Sequence, residues 1–221
     1  KRQLSLTNKE KAMLVKWIED GAEYKDHWAF IKPEKHKVPK IKNEDLVANP
    51  IDNFVLAQLE PLDLKLSEKA DKETLLRRAS IDLTGLQPTL EQIEEFVNDE
   101  SPNAFEKQVD RMLASEKYGE QRTLDWMDLA RYADTHGYSV DRYRDTSPWR
   151  DWVINSFNEN MPYDQFILWQ LAGDMLPNAT REQKLATTFN RLHPQNMEGG
   201  IIDEEFRVEY VADRSHVASQ G

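Results

Sequence analysis

Capping residues that stand directly ahead of helix-periodic apolar segments are the feature that most constrains how this chain folds. Thr89 with Gln92 and Thr180 with Gln183 have the spacing of a capping box, in which two side chains satisfy free N–H groups at the start of a helix. Pro50 suits the first turn of another helix, where an N–H would have no intrahelical partner. Such segments are about 10 to 15 residues long and have short connectors, while period-two patterns are nearly absent. The sequence therefore predicts an all-α fold, a compact multi-helix domain of about eight or nine helices.

An N-terminal helix and an extended arm are expected ahead of this domain. Residues 1–26 contain the cap Thr7, an apolar helical face and a stop signal at Gly21. Residues 27–48 are rich in lysine and interrupted by proline, which is typical of a linker or of an arm that lies on another surface. The helical domain is then expected over residues 49–221.

The net charge of −11 and the absence of cysteine exclude several classes of function. Binding to a phosphate backbone requires a basic surface, so nucleic acid is not expected as a partner. Without cysteine the chain cannot form disulfides, thiolate zinc sites, thiol nucleophiles or covalent haem attachments. Its apolar runs fall short of the roughly 18 residues of a membrane span, so none is predicted.

Aromatic and charged residues are concentrated between Trp126 and Asp151. Residues three or four apart on a helix share a face, so Arg131 is expected to form an ion-pair network with Asp128 and Asp134. One interpretation of the segment is structural, with a loop pinned by its rings and ion pairs so that it locks two helices together. The other is functional, with the same side chains lining a cleft for a polar ligand.

The cleft interpretation draws on two segments of the chain. Aromatic rings stack on the apolar faces of sugars, and carboxylates and amides bind sugar hydroxyl groups, so this composition is typical of a carbohydrate site. The candidate cleft residues are Trp126, Arg131, Asp134, His136, Tyr138, Asp141 and Trp149 from the first segment and Asn196, Glu198 and Glu204 from the second. Gly199 and Gly200 would allow the backbone to approach a ligand closely. Acidic residues at the start of a helix are also favoured by the helix dipole, so the second segment has a ligand-free interpretation as well.

Three aspartates of the first segment form a candidate metal site. Asp134, Asp141 and Asp145 are far enough apart in sequence to converge around a loop, and Ca²⁺ accepts carboxylate ligands. Their spacing differs from that of an EF-hand loop. His136 adds little to the prediction, because a single histidine more often serves as a structural hydrogen-bond donor.

Several long phrases, taken in order, resemble a known family. They are HWAF (27–30), NPIDNFVLAQLE (49–60), LLRRASIDLTGLQPT (75–89), YGEQRTLDWMDLARYAD (118–134), WRDWVINSFNENMPYDQFILWQLAGDMLP (149–177) and ATTFNRLHPQNMEGGIIDEEFRVEYVADR (186–214). Together they resemble the domain of unknown function 1549, the second domain of the planctomycete surface cytochrome architecture. The resemblance covers nearly all of the chain from His27 onward.

The resemblance implies a setting for the chain. Residues 6–22 are similar to the closing helix of the c-type cytochrome module that commonly precedes this domain. The family continues beyond its last helix into a Cys-x-x-Cys-His motif, so we expect residues 49–221 to be a helical domain truncated before it. No cofactor is then expected in this chain, although calcium is allowed, and haem c is expected in neighbouring domains. The expected partners are the neighbouring cytochrome c and C-terminal domains of the same protein, with polysaccharide as a further one, in the periplasm or at the cell surface.

Three hypotheses about function remain open. In the first, a non-enzymatic helical module of an exported cytochrome-linked protein docks partner domains or presents the polar and aromatic cleft to polysaccharide. In the second, the cleft belongs to a redox enzyme that acts on carbohydrate and passes electrons to a neighbouring haem domain. Its candidate residues are Asp134, His136, Asp141, Glu198 and Glu204. In the third, the chain is a purely structural spacer.

Overall fold

A computed structural model describes residues 5–138 and 140–219. Within these ranges the chain forms ten α-helices and five short 3₁₀ helices and contains no β-strand, so the all-α prediction is confirmed. The helices are α1 (Asn8–Glu19), α2 (Pro50–Leu59), α3 (Lys72–Thr84), α4 (Leu90–Asn98), α5 (Ala104–Leu113), α6 (Glu116–Leu129), α7 (Ser147–Asn158), α8 (Tyr163–Ala172), α9 (Arg181–Ala186) and α10 (Asp203–Ala218). No helix of the described ranges has the length and apolar character needed to cross a bilayer.

The chain divides into two compact units, Lys1–Glu68 and Lys69–Gly221. In the first, the end of the arm packs on α2: the Asn53 side chain donates to the carbonyl oxygen of Pro39 at 3.1 Å, and the Lys42 N–H donates to the Glu60 carboxylate at 2.7 Å. Leu56 of α2 is buried there. Helix α1 contains no buried residue. The division expected from the sequence, with boundaries at residues 26 and 48, stays a prediction.

The second unit contains α3 to α10 around two apolar clusters. Helices α3, α4 and α5 surround a smaller one, whose buried members are Leu76, Phe96, Ala104 and Met112. A larger cluster is formed by Ala130, Trp149, Trp152, Val153, Phe166, Ala186, Phe189, Leu192 and Val217. Helix α6 packs against both α3 and α7 and so connects the two clusters.

Local capping explains where most of these helices begin and end. The Gln92 N–H donates to the Thr89 hydroxyl, and the Gln92 side chain accepts from the Thr89 N–H at 3.0 Å, which completes the predicted capping box. The same exchange occurs between Thr180 and Gln183. Helix α3 ends at Gly85, whose φ of +70° is the left-handed conformation that glycine adopts without a Cβ penalty.

The helical spacing of apolar residues continues from about residue 120 to residue 133, but α6 covers a different range. The helix begins after the cap Ser115 and stops at Leu129. Arg131 has a φ of +54°, and the Tyr132 N–H donates to the carbonyl oxygen of Met127 at 2.9 Å, which closes a Schellman motif with arginine where glycine is usual. The chain therefore leaves the helix four residues before the helical spacing of apolar residues ends.

Candidate functional site

The loop between α6 and α7 is held in a narrow hairpin. Thr135 pairs with Tyr143 in an isolated antiparallel bridge, and the Arg144 N–H donates to the carbonyl oxygen of Asp134 at 2.8 Å. Near its tip, the Gly137 N–H donates to the Asp141 carboxylate at 2.8 Å, and this bond lowers the pKa of Asp141. The described part of the loop therefore has a defined backbone path.

Arg144 fastens this loop to the segment that follows α9. Its guanidinium donates to the carbonyl oxygens of Arg191 and His193, each at 3.1 Å, and to that of Leu192 at 3.3 Å. These carbonyls lie at the end of the 3₁₀ helix Thr187–Arg191, where helical partners are missing. Burial lowers the pKa of Arg144, because the charged form loses hydration.

A second attachment joins the loop to the larger apolar cluster. The Tyr132 ring stacks on Trp149 with centroids 6.0 Å apart and an interplanar angle of 17°. The Tyr132 hydroxyl donates to the Asp134 carboxylate at 2.7 Å. Burial first, and this carboxylate second, raise the pKa of Tyr132. Tyr132 and Asp134, which belong to the segment rich in aromatic and charged residues, therefore stabilise the fold.

An open cleft of about 520 Å³ lies beside the loop. It is lined by Arg131, Tyr138, Pro194, Glu209, Tyr210, Ala212, Asp213 and His216. The loop supplies Tyr138, the connector before α10 supplies Pro194, and α10 supplies most of the remaining wall. Of the two segments singled out in the sequence, the first contributes Arg131 and Tyr138 to this cleft, and the candidate residues of the second do not line it.

The cleft combines fixed charges with oriented aromatic rings. Arg131 forms an ion pair with Asp213, while the second carboxylate oxygen of Asp213 is buried and accepts no hydrogen bond from the described residues. The Tyr210 hydroxyl accepts from the Asn196 N–H at 2.7 Å, and its ring packs on His193 with centroids 4.7 Å apart. Burial, followed by the charge of Glu209, raises the pKa of Tyr138. The cleft therefore offers carboxylate acceptors beside aromatic rings.

Comparison with known proteins gives one family. Residues 50–221 match PSCyt2, described as a protein of unknown function (DUF1549). The chain belongs to this family. No curated protein and no solved structure matches it. The matched region of this DUF1549 domain begins at Pro50, the first residue of α2.

The DUF1549 domain places only some of the predicted cleft residues at the cleft. Arg131 and Tyr138 line it. Trp149 is 0% exposed and lies in the larger apolar cluster, and Trp126 packs against that cluster, so neither ring is available to a ligand there. The indole N–H of Trp126 donates to Gln170 at 2.9 Å. The cleft assignment of Trp149 was wrong, because helical spacing does not reveal which rings a core will bury, and Trp126 does not line the cleft.

The polar candidates have mainly local partners. Asp134 and Asp141 hold the loop as described above, and the carbonyl oxygen of His136 accepts from the Gln195 N–H at 2.9 Å. The side chain of Asn196 accepts from the Glu198 N–H at 2.9 Å. Glu204 is exposed and pairs with Arg207 one turn along α10, which lowers the pKa of Glu204. None of these residues lines the cleft.

The expected metal site is not assembled by its three aspartates. Asp145 accepts from the N–H and the hydroxyl of Ser147, at 3.2 and 2.6 Å. In the described ranges no three or more His, Asp or Glu side chains are grouped so that they could hold a metal ion. The local hydrogen bonds of Asp134, Asp141 and Asp145 direct them to different partners.

The main residues that the sequence interpretation missed belong to α10. Glu209, Asp213 and His216 follow one another at four and three residues, which places them on one helix face, and Tyr210 lies beside them. That spacing was the available signal. Arg131 was expected to pair with Asp128 and Asp134, but its partner is Asp213, 82 residues away. Helical periodicity shows which residues share a face of a helix, and it does not reveal which part of the protein packs against that face.

Proposed function

We propose that this chain is a binding module that does not itself catalyse a reaction and that its cleft takes a polar ligand of the carbohydrate type. The observation that carries the proposal is the placement of Tyr138 and Tyr210 beside the carboxylates of Glu209 and Asp213 in one open cleft. The volume of about 520 Å³ falls within the range of about 300 to 1,000 Å³ common for small-molecule sites.

Sugar chemistry matches these groups. A pyranose offers an apolar C–H face to an aromatic ring and a rim of hydroxyl donors to carboxylates. The Asp213 side chain lines the cleft and keeps 27% of its surface exposed, so a ligand hydroxyl can donate to its carboxylate from the open side. Arg131 holds the other side of this carboxylate through the ion pair, so the acceptor is oriented before a ligand arrives.

The wider setting is part of the same proposal. Membership in DUF1549 supports a setting in an exported protein, in which the module would lie in the periplasm or at the cell surface, between a cytochrome c module and a C-terminal domain. A polysaccharide would then be the natural source of the ligand. Haem c would lie in the neighbouring domains, where electron transfer would take place.

A structural role is the second candidate, and the contacts of Arg144 favour it. Three carbonyl bonds and the stacking of Tyr132 on Trp149 lock the loop between α6 and α7 against the rest of the second unit. A spacer needs such attachments and does not need a ligand. The enzyme hypothesis receives less support, because its candidate residues do not line the cleft and both lining carboxylates belong to one helix. Glycosidases place two carboxyl groups on either side of the scissile bond.

Calorimetric titration of the whole chain with a panel of neutral and acidic oligosaccharides tests the proposal. We expect at least one to bind, and we expect Tyr138→Ala to weaken it about tenfold, since an aromatic contact contributes about 0.5 to 1.5 kcal/mol. Tyr143→Ala is the matched control, because Tyr143 is an exposed tyrosine of the same loop that does not line the cleft. Failure of every oligosaccharide to bind, or equal weakening by both variants, would leave the structural role in its place.

A further inference from the structure

A second, smaller pocket between α7, α8 and the start of α9 combines two indole rings with two carboxylates. It has a volume of about 180 Å³, and its walls include Trp152, Trp169, Glu159 and Glu182. It shares no lining residue with the cleft beside Tyr138. From this composition we infer that the pocket binds a compact organic ammonium group.

The rings form an ordered apolar wall. Trp152 is only 6% exposed and stacks on Phe166 with centroids 5.4 Å apart and planes 5° apart. Trp169 adjoins it, with centroids 6.5 Å apart at 30°. Because Phe166 and the surrounding cluster hold Trp152 in place, binding would require little reordering of this wall.

The local backbone sets the position of the first carboxylate. Helix α7 ends in a Schellman motif in which Asn160 has a φ of +50° and the Met161 N–H donates to the carbonyl oxygen of Ser156 at 2.9 Å. Glu159 is the capping residue at this end. A carboxylate is unfavourable there, since the free carbonyls at a helix C-terminus already carry partial negative charge. A bound cation would relieve this repulsion.

The second carboxylate adds to the negative potential of the rim. Glu182 lies in the first turn of α9, where the capping box of Thr180 and Gln183 fixes the backbone. Neither Glu159 nor Glu182 forms an ion pair with a described residue, and of the described residues that line the pocket none is basic. Two carboxylates that have no ion-pair partner among the described residues therefore border an aromatic wall.

This arrangement matches an alkylammonium group better than a metal ion or a sugar. Indole faces attract cations through the ring quadrupole, and methyl or methylene groups on the nitrogen pack against the same rings. A hard metal ion prefers about six to eight oxygen ligands, more than two carboxylates supply. The volume of about 180 Å³ is below the range of about 300 to 1,000 Å³ common for small-molecule sites, which favours a compact group. A methylated amine or a lysine side chain of another protein would carry the required group.

The test compares choline with 3,3-dimethylbutan-1-ol, which has the same shape without the charge. The whole chain is titrated by calorimetry at constant ionic strength, and the indole N–H resonances of Trp152 and Trp169 are followed by NMR. We expect choline to bind in the millimolar range and the neutral alcohol to bind at least tenfold more weakly. Nα-acetyl-lysine amide, which keeps its side-chain ammonium, is titrated in parallel. Tighter binding of choline would indicate a small methylated amine as the ligand, and tighter binding of the lysine compound would indicate a protein side chain. Equal binding of choline and the alcohol, or no binding of either ammonium compound, overturns the inference.

Variants of the rim separate this pocket from general attraction to an acidic protein. Glu159→Gln and Glu182→Gln should each weaken choline about two- to fivefold, as expected for partly exposed charges. Glu205→Gln removes the same charge from the exposed start of α10 and should leave the affinity unchanged. Trp169→Leu should weaken choline about fivefold or more, with circular dichroism to confirm folding. Equal effects of all three glutamine variants contradict the assignment, as does an oligosaccharide that binds here in place of choline.

Discussion

The Arg131 guanidinium contacts the Asp213 carboxylate and joins the end of α6 to α10. Arg131 makes this contact from a left-handed backbone conformation, with a φ of +54°. For a residue with a Cβ this conformation costs about 1 to 2 kcal/mol relative to a right-handed one. The ion pair and the backbone strain therefore act in opposite directions at one residue.

Substitutions of Arg131 should reverse the usual order of alanine and glycine. Both Arg131→Ala and Arg131→Gly lose the ion pair, but only glycine relieves the strain, so we expect the glycine variant to be more stable by about 1 kcal/mol. Urea denaturation measures the difference. At Asp128, inside α6, alanine should instead be the more stable by about 1 kcal/mol. If the alanine variant were more stable than the glycine variant at position 131 as well as at position 128, the Arg131 backbone would not be strained in solution.

Loss of the Arg144 side chain should destabilise the second unit. Arg144→Met removes the three hydrogen bonds that the charged guanidinium donates to the carbonyl oxygens of residues 191–193. The free energy of unfolding should therefore fall by about 2 to 3 kcal/mol. Arg144→Lys should recover only part of this free energy, because the ammonium of lysine lacks the planar, forked set of donors of a guanidinium.

Arg142→Met is the control for this variant. Arg142 is exposed in the same loop, so its replacement should change the free energy of unfolding by less than about 0.5 kcal/mol. The measurement is chemical denaturation followed by circular dichroism. Similar losses for both variants would mean that the three carbonyl bonds do not contribute as the geometry indicates.

Gly119 lies where α6 packs tightly on α7, so alanine should be destabilising there. An added Cβ would stand 2.4 Å from the carbonyl oxygen of Ile154 and 2.6 Å from the Asn158 side chain. We expect a loss of about 1 to 3 kcal/mol from overpacking, although alanine is otherwise favoured in helices by about 1 kcal/mol. Gly199→Ala, with nothing within 4 Å of its added Cβ, should be neutral within about 0.5 kcal/mol. A more stable Gly119→Ala protein would contradict the close helix contact.

His193 should make stability depend on pH near neutrality. It is 7% exposed, and burial first, then the charge of Arg214, lower its pKa below the ordinary value of about 6.5. As the pH falls below the unfolded pKa, the unfolded chain binds a proton that the folded chain does not. The free energy of unfolding therefore decreases as the pH falls from the unfolded pKa to the folded pKa. Above the unfolded pKa, proton binding by His193 no longer affects the free energy of unfolding.

Replacing His193 should reduce this dependence. Urea denaturation at pH 7.5 and pH 5.5 (about one unit on either side of the unfolded pKa) should show a smaller difference for His193→Gln than for the unchanged protein. His36, which is exposed in the arm, provides the control variant His36→Gln. An undiminished difference in His193→Gln, matching that of the control, would assign the dependence to other groups.

The all-α fold class was predictable because the start of a helix depends on residues that are close to it in sequence. The exchanges between Thr89 and Gln92 and between Thr180 and Gln183 join residues three apart, so they form wherever the helix forms. This local reasoning did not extend to the end of α6, where Arg131 occupies the left-handed position that glycine usually takes.

The helices, their caps and the segments rich in aromatic and charged residues follow from the sequence alone. The fold decides which side chains reach the cleft, since Tyr138, Pro194 and Asp213 are separated by many residues and meet through the packing of α10 beside the loop. It also decides that the Trp149 ring belongs to the core. The physical reason is that a cap or a helix face depends on hydrogen bonds and spacing within a few residues. The partner of a face depends on how whole helices pack.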